Sequence, residues 1–584
     1  MVLSSVPEQG PSLLLIEGCL TAIVFAVAFC WPRLGSAWFS RAERTFGGLA
    51  RRKSLSVAVA GLAAFLLRLA ILPLLPIPQP FVHDDFSFLL AADTFASGRL
   101  TNPTPAMWTH FESFHITVKP TYMSMYFPAQ GLVLAAGKIL TGHPWFGILV
   151  VTALMCSAIC WMLQAWLPPT WALLGGILVV LRIGLFSYWI DTYSGGGSIA
   201  ALGGALVLGA LPRFMKKARF GDAMLMAVGV VLLGTCRPYD GMLLCLPVIF
   251  FLTWWMVFGK NRPTASVLLR RTALPLALIV AAGAWMGYYD YRVFGSPVTL
   301  PYTVDRAEYA IAPYFVWQSQ RPVPVYRHQV IREFYNRDEL NNFRNIHSLS
   351  GFVSQTLVKA ANGMLFYAGL ALLVPLIMVR RVLLDQRLRF LIWCVLVLMA
   401  GQFVEIFFFP HYLAPFTAAF YAIGLQAMRH LRLWSPGDQP VGMTLTRLIV
   451  TLCVVLTGMR LGAKPLHLGL PVWPGAWASA WYGSDKRSSA PRAQIESRLE
   501  QKPGRQLVIV RYHVDHNPMD EWVYNAADID NSKVIWARDM HEAENLQLIE
   551  YYKDRTVWLI QPDTKPESVS PYLSPAQSPT KVSR

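Results

Sequence analysis

Charge is scarce in this chain. Only 15% of its 584 residues are Asp, Glu, Lys or Arg, while 54% are hydrophobic, and the mean hydropathy is +0.40. An ordinary soluble domain is about 25% charged, so composition excludes a soluble globular protein and places the chain in a bilayer. No Lys or Arg precedes Arg33. The first apolar run therefore lacks the basic flank of a cleaved signal and reads as a true span. Cysteine is sparse and confined. Its eight copies, at 19, 30, 156, 160, 236, 245, 394 and 453, lie in or beside apolar runs. That excludes a disulfide framework in the polar loops. Cys156 and Cys160 have helical spacing and read as packing residues, because no third metal ligand is near. The polar stretch 485–565 has no G-x-G-x-x-G and no phosphate loop, which argues against a nucleotide site there. No repeat recurs at solenoid periods.

About twelve apolar spans are expected, near 12–32, 54–77, 144–167, 170–190, 195–211, 222–236, 240–258, 272–290, 356–379, 388–408, 411–429 and 444–462. The net charge of +17 raises nucleic acid as a partner, but its placement excludes that reading. Six Lys/Arg sit in 33–53, four each in 212–220, 260–271 and 380–389, and two in 429–432, while 191–194 and 409–412 carry none. This is the positive-inside pattern. It puts loops 78–143 and 291–355, and everything from about 463, on the outer face of the plasma (inner) membrane.

Residues 1–462 read as the membrane body and 463–484 as a Pro/Trp/Gly connector suited to the headgroup layer. From 485 to 565 the chain turns polar. APRAQIESRLEQK and HEAENLQLIEYYKD read as helices, and RQLVIVRY, SKVIWARDM and RTVWLIQPD as strands. That alternation predicts a small α/β domain with a parallel sheet. The Ser/Pro-rich stretch 566–584 reads as a disordered tail.

The densest chemistry lies in the first outer loop. Asp84 and Asp85 follow the end of a span, where paired acids are costly unless solvated or used. Asp84 to Gly98 reads as an amphipathic helix lying on the membrane, with Asp84 or Asp85 as its N-cap. Helix capping, catalysis and a solvated loop all fit the residue types. His110, Glu112 and His115 match no zinc spacing, and loop packing, acceptor-pocket lining and metal binding stay open for them. Lys119 and Tyr122 are candidate phosphate or sugar contacts, and Tyr126 a ring to stack on a sugar face. Asp191 precedes Ser194-Gly195-Gly196-Gly197 in a short outer turn, as a cap or a substrate contact. Arg237, before Pro238, Tyr239 and Asp240, suits a phosphate because its guanidinium is a permanently charged planar fork; snorkelling to headgroups is the alternative. His411 and Tyr412 offer a second donor pair at another outer helix end. The buried charges Arg68, Arg182 and Glu405 are expected to face the bundle interior. Loop 291–355, rich in Pro and aromatics, reads as an ordered cover or lid.

The segments HDDFSFLLAADTFASGRLTNPT, PTYMSMYFPAQGLVLAAG, SYWIDTYSGGGSIAALGGALVLGALPR and CRPYDG resemble bacterial multi-spanning glycosyltransferases of the GT-C superfamily. These are relatives of dolichyl-phosphate-mannose protein mannosyltransferases and of lipid A aminoarabinose transferase. The resemblance covers roughly 54–430. It implies a polytopic helical enzyme of GT-C type, with an acidic pair in the first outer loop whose first member is the base. Here that is Asp84, followed by Asp85 where relatives usually carry Glu. It further implies a polyprenyl-phosphate-sugar donor, surrounding membrane lipid, and a glycan, lipid or protein acceptor. Tyr239, His411 and Tyr412 join Arg237 as donor-side candidates. No cofactor is assigned, a divalent metal ion is compatible, and no metal ligand is named. A lipid-linked saccharide transporter or a non-catalytic scaffold is the alternative; a transporter would show the repeat symmetry that is missing here.

Overall fold

The computed structural model describes residues 11–259, 262–469, 491–564 and 566–572. Every apolar run expected from the sequence is helical, but the runs are not equal. Among the described residues seven helices are long and apolar enough to cross a membrane: Leu13–Cys30, Lys53–Ala70, Trp145–Trp166, Gly197–Lys217, Pro238–Phe258, Ala265–Phe294 and Val441–Leu461. An eighth is broken. Leu349–Tyr367 and Ala371–Leu383 meet at 109°, across Gly369 at φ 64°, a conformation that favours glycine. Three further apolar helices, Pro169–Gly184, Phe220–Cys236 and Arg389–Val404, are shorter. The eleventh run begins as a 3-10 turn over Pro410–Phe416 before its helix Thr417–Arg432. The chain is thus a multi-pass membrane protein with seven or eight full-length spans by this measure, against about twelve expected. The shortfall arises where Gly and Pro shorten or bend a hydrophobic run that hydropathy alone reads as continuous.

Loops 78–143 and 291–355 are folded. Helix His83–Ala96 starts the first, a two-stranded ribbon of β1 (Ile116–Thr117) and β2 (Met123–Ser124) follows, and helix Pro128–Thr141 returns it to the membrane. The second carries helices Pro301–Tyr309, Gln329–Glu333 and Leu340–Ile346. Buried Glu112 ties the two loops. It receives Tyr309 Oη and Arg327 Nη1, both at 2.9 Å, and His328 Nε2 lies 3.3 Å away.

Towards the C-terminus, β3 (Arg505–Val510), β4 (Val534–Arg538) and β5 (Arg555–Gln561) form a parallel sheet in the order β4-β3-β5. β6 (Ser568–Pro571) adds antiparallel to β5, so the stretch read as tail begins with a strand. Most of the connector, 470–484, and 573–584 of the tail lie outside the described residues. The sheet packs onto the first outer loop. Leu90, Phe111, Ile116 and Tyr122 share one apolar cluster with Leu507, Ile509, Ile535 and Leu548. That contact corrects the expectation of an amphipathic surface helix at 84–98. Phe88 and Ala92 pack against Trp145 and Ile148, while Phe86 stacks on Tyr524 at 4.8 Å, so both faces of His83–Ala96 are buried.

Candidate active site

A cavity of about 1140 Å³ opens between loops 78–143 and 291–355 and the neighbouring helix ends. Asp84, His115, Asp191, Arg237, Tyr239, His411 and Tyr412 line it. Residues more than 300 positions apart in the sequence therefore meet in one space. Asp85, Glu112, Lys119 and Tyr122 are not among its walls.

Helix His83–Ala96 begins with Val82 as its N-cap and no side-chain cap, so neither Asp is the cap. Both lie in the first turn, where the helix dipole favours carboxylates. From there they diverge. Asp85 is fully buried. Its Oδ1 accepts the Tyr193 N–H at 3.0 Å and its Oδ2 the Phe81 N–H at 3.3 Å. It joins the Asp191 turn to the start of the loop.

Asp84 keeps 30% of its side chain exposed. All its hydrogen bonds fall on Oδ1: Tyr126 Oη at 2.5 Å, His115 Nδ1 at 2.6 Å and His83 Nδ1 at 3.2 Å. Among the described residues none donates to Oδ2. His115 Nδ1 is also 3.0 Å from His83 Nδ1. Burial pushes the Asp84 carboxyl up, but the charge and hydrogen bonds of His115 and His83 outweigh it and hold the group well below the usual carboxylate range. Burial opposes the charged form of His115 too, yet Asp84 raises its pKa above the ordinary value. His83 is pushed down by burial and by His115. The surroundings thus favour the ionised form of Asp84 and the protonated form of His115, and disfavour a charge on His83. His115 sits at φ 58°, which costs a non-glycine residue on the order of 1–3 kcal/mol and persists only where the surroundings hold it.

On the opposite wall, Arg237 Nε donates to buried Asp240 Oδ2 at 2.7 Å, and its guanidinium lies 4.3 Å from the Tyr412 ring centroid. Nη1 reaches the Gly195 carbonyl at 3.5 Å, while Nη2 donates to no described residue. Gln402 Nε2 bridges Asp240 and Glu405, at 3.2 Å from each, and both acids line the cavity. Tyr239 Oη donates to the Gly401 carbonyl. His411 Nδ1 lies 2.6 Å from Tyr188 Oη. Gly195, at φ 86°, lies close against His411: a Cβ there would stand 3.0 Å from His411 Nδ1. Asp191 Oδ1 pairs with fully buried Arg68 at 3.0 Å, which explains that intramembrane charge.

The remaining sequence candidates serve the loops. Lys119 Nζ sits 3.8 Å over the Trp108 ring. Tyr122 Oη donates to the Asn525 carbonyl at 3.0 Å. Tyr126 offers its hydroxyl rather than its face, because the ring stacks on Phe88 at 4.3 Å. Four site groups went unread in the sequence: His83, Asp240, Tyr302 and Tyr314, all lining the cavity. His83 was legible as the neighbour of Asp84. The tyrosines belong to a loop whose aromatics are too many to rank without coordinates.

No protein-family model matches the chain, and no curated protein matches it. Among solved structures, ArnT from Cupriavidus metallidurans in the apo state is similar at a TM-score of 0.47 and 13% identity, over 87% of this chain and 92% of that one. ArnT bound to undecaprenyl phosphate gives 0.47 at 11% identity over the same shares. The Archaeoglobus fulgidus oligosaccharyltransferase tethered to an acceptor peptide gives 0.46 at 10% identity, over 87% of this chain and 68% of that one. At TM-scores below 0.5 these likenesses carry no functional conclusion for this chain.

Proposed function

We propose that this protein transfers a monosaccharide from a polyprenyl-phosphate carrier to a glycan, lipid or protein acceptor on the outer face of the membrane. The carrying observation is the split of Asp84: one oxygen bound by three protein groups, the other left to a cavity that also holds Arg237 and His411. A transferase of this kind needs a fixed proton acceptor and, across the cavity, donors for a leaving phosphate. In the reaction the acceptor oxygen bonds to the anomeric carbon while the bond from that carbon to the phosphate oxygen breaks. The electron pair leaves with the polyprenyl phosphate, and the acceptor proton passes to Asp84 Oδ2. Configuration inverts. Arg237 Nη2 and His411 face the phosphate. A depressed pKa keeps Asp84 ionised and ready, at the expense of base strength; proton loss late in the displacement suits it. Mass spectrometry of envelope glycans tests the reading. Cells lacking the protein, and cells carrying Asp84→Asn at full expression, should lose the same single sugar. Unchanged glycans in both would overturn it.

One observation favours a variant of this reading with a metal ion. His83 Nδ1, Asp84 Oδ1 and His115 Nδ1 converge within 4.8 Å of one another. Two imidazole nitrogens and a carboxylate oxygen suit a borderline divalent ion. Against it, His83 Nε2 is buried with no partner, where a metal-bound histidine normally donates that N–H. Such an ion would add positive charge near the phosphate. Elemental analysis decides: stoichiometric metal in the purified protein, lost in His83→Ala and His115→Ala, supports it, and metal-free active protein excludes it.

A further inference from the structure

Arg538 links the C-terminal sheet to the segment that carries His115. Arg538, at the end of β4, is 2% exposed. Its Nη2 donates to fully buried Glu521 at 2.8 Å, and its Nε donates to the Glu112 carbonyl at 2.5 Å. The guanidinium lies 5.8 Å from the Phe114 ring and 5.7 Å from that of Tyr512. In return His110 Nδ1 lies 3.1 Å from the Arg538 carbonyl. Segment 110–115 is therefore gripped at its start, middle and ring face by one strand end. That segment delivers His115, in its left-handed conformation, to Asp84. Two positions before Glu521, Met519 lines the cavity and packs with Phe114, Tyr309 and Phe334.

We infer that the C-terminal sheet is a working part of the active site, with Arg538 a positioning residue that holds His115 against Asp84. A strained backbone keeps its geometry only where surrounding contacts over-determine it. The Nε–H to the Glu112 carbonyl is a charge-assisted bond of the strong class, placed three residues before His115. Ser87 Oγ and Met125 N donate to the His115 carbonyl and fix the far side of the residue; the Glu112 carboxylate is held by the second loop, and its carbonyl by Arg538. The inference rests on Asp84 as the reacting carboxylate, but its test needs no turnover, so the two fail separately.

The test is the reactivity of His115 toward diethyl pyrocarbonate in full-length protein in nanodiscs, read by peptide mass spectrometry with His411 as internal reference. Both histidines line the cavity, and only His115 hangs on Arg538. Arg538→Ala would strand Glu521 without a counter-charge, so two gentler variants are used. Arg538→Lys keeps the charge but lacks the fork that serves Glu521 and the carbonyl together. The pair Arg538→Met with Glu521→Gln removes both charges while leaving acceptors for Tyr512 Oη and Val523 N. In the double variant His115 should react roughly tenfold faster, the shift that losing one charge-assisted hydrogen bond allows, with His411 unchanged and Arg538→Lys intermediate. Equal acceleration at both histidines would mean general loosening and overturn the inference. So would an unchanged His115.

Discussion

The two walls of the cavity hold the same kinds of group in inverted arrangements. At one, a carboxylate is surrounded by donors: Asp84 Oδ1 takes Tyr126, His115 and His83. At the other, a cation is surrounded by acceptors: Arg237 faces Asp240, Gly195 and the Tyr412 ring. Each keeps one atom back, Oδ2 of Asp84 and Nη2 of Arg237. A charge held only by solvent would be mobile and screened. A charge fully paired would have nothing left to offer a substrate. Partial compensation fixes the side chain and spares one valence, and the two walls do this with opposite sign, one suited to a proton and the other to a phosphate.

The largest break in that symmetry comes from Asp84→Asn. It keeps the shape and removes the proton acceptor, and transfer should fall by about 10²-fold or more, the scale of a lost general base. Turnover at the wild-type rate, measured on lipid-linked donor in nanodiscs, would leave Asp84 as a structural group only. Arg237→Ala acts on the other wall and should weaken donor use by about 1.5–3 kcal/mol, as for a hydrogen bond to a charged group. Arg237→Lys should recover part of this, since Lys retains charge without the planar fork. A rise in acceptor requirement with unchanged donor dependence would move Arg237 to the acceptor side.

Asp85→Asn separates the neighbouring acids. An amide cannot accept from both Tyr193 N and Phe81 N, so one buried donor is stranded at a cost of about 1–3 kcal/mol. The expected result is a lower unfolding temperature; a turnover loss as deep as that of Asp84→Asn at unchanged stability would return Asp85 to the chemistry. Glu112 gives a pH signature. Burial raises its carboxyl pKa, but His328 and Arg327 outweigh that and hold it below the ordinary value. A depressed folded pKa means its contribution is present above the unfolded value, about 4.3, and fades as pH falls through the folded value. Unfolding curves should show an acid-side loss that Glu112→Gln removes. The smallest effect is Tyr122→Phe, which deletes the bond to the Asn525 carbonyl and should cost about 0.5–1.5 kcal/mol in stability without a fall in turnover per folded molecule.

Legibility followed the range of the interactions. Apolar runs were readable because hydropathy needs only neighbours in sequence, and so were RQLVIVRY, SKVIWARDM and RTVWLIQPD, each within a residue or two of an observed strand. Asp84, Arg237 and His411 stood out because charge at a helix end is locally conspicuous. Helix 83–96 was misread as a surface helix because nothing in those residues announces the sheet, some 400 positions later, that covers Phe86 and Leu90. Glu112 looked like a site group because its partners Tyr309, Arg327 and His328 lie in another loop.

Bilayer residence and the residue types available for chemistry follow from composition and order along the chain, since each depends on the free energy of moving a short segment between water and lipid. Pairing does not. Asp84 and Asp85 are the same residue side by side, yet one faces a cavity and the other is buried against the Tyr193 amide. Adjacent helix positions point about 100° apart, so packing around the helix, and not residue identity, decided which acid was left with an oxygen to use.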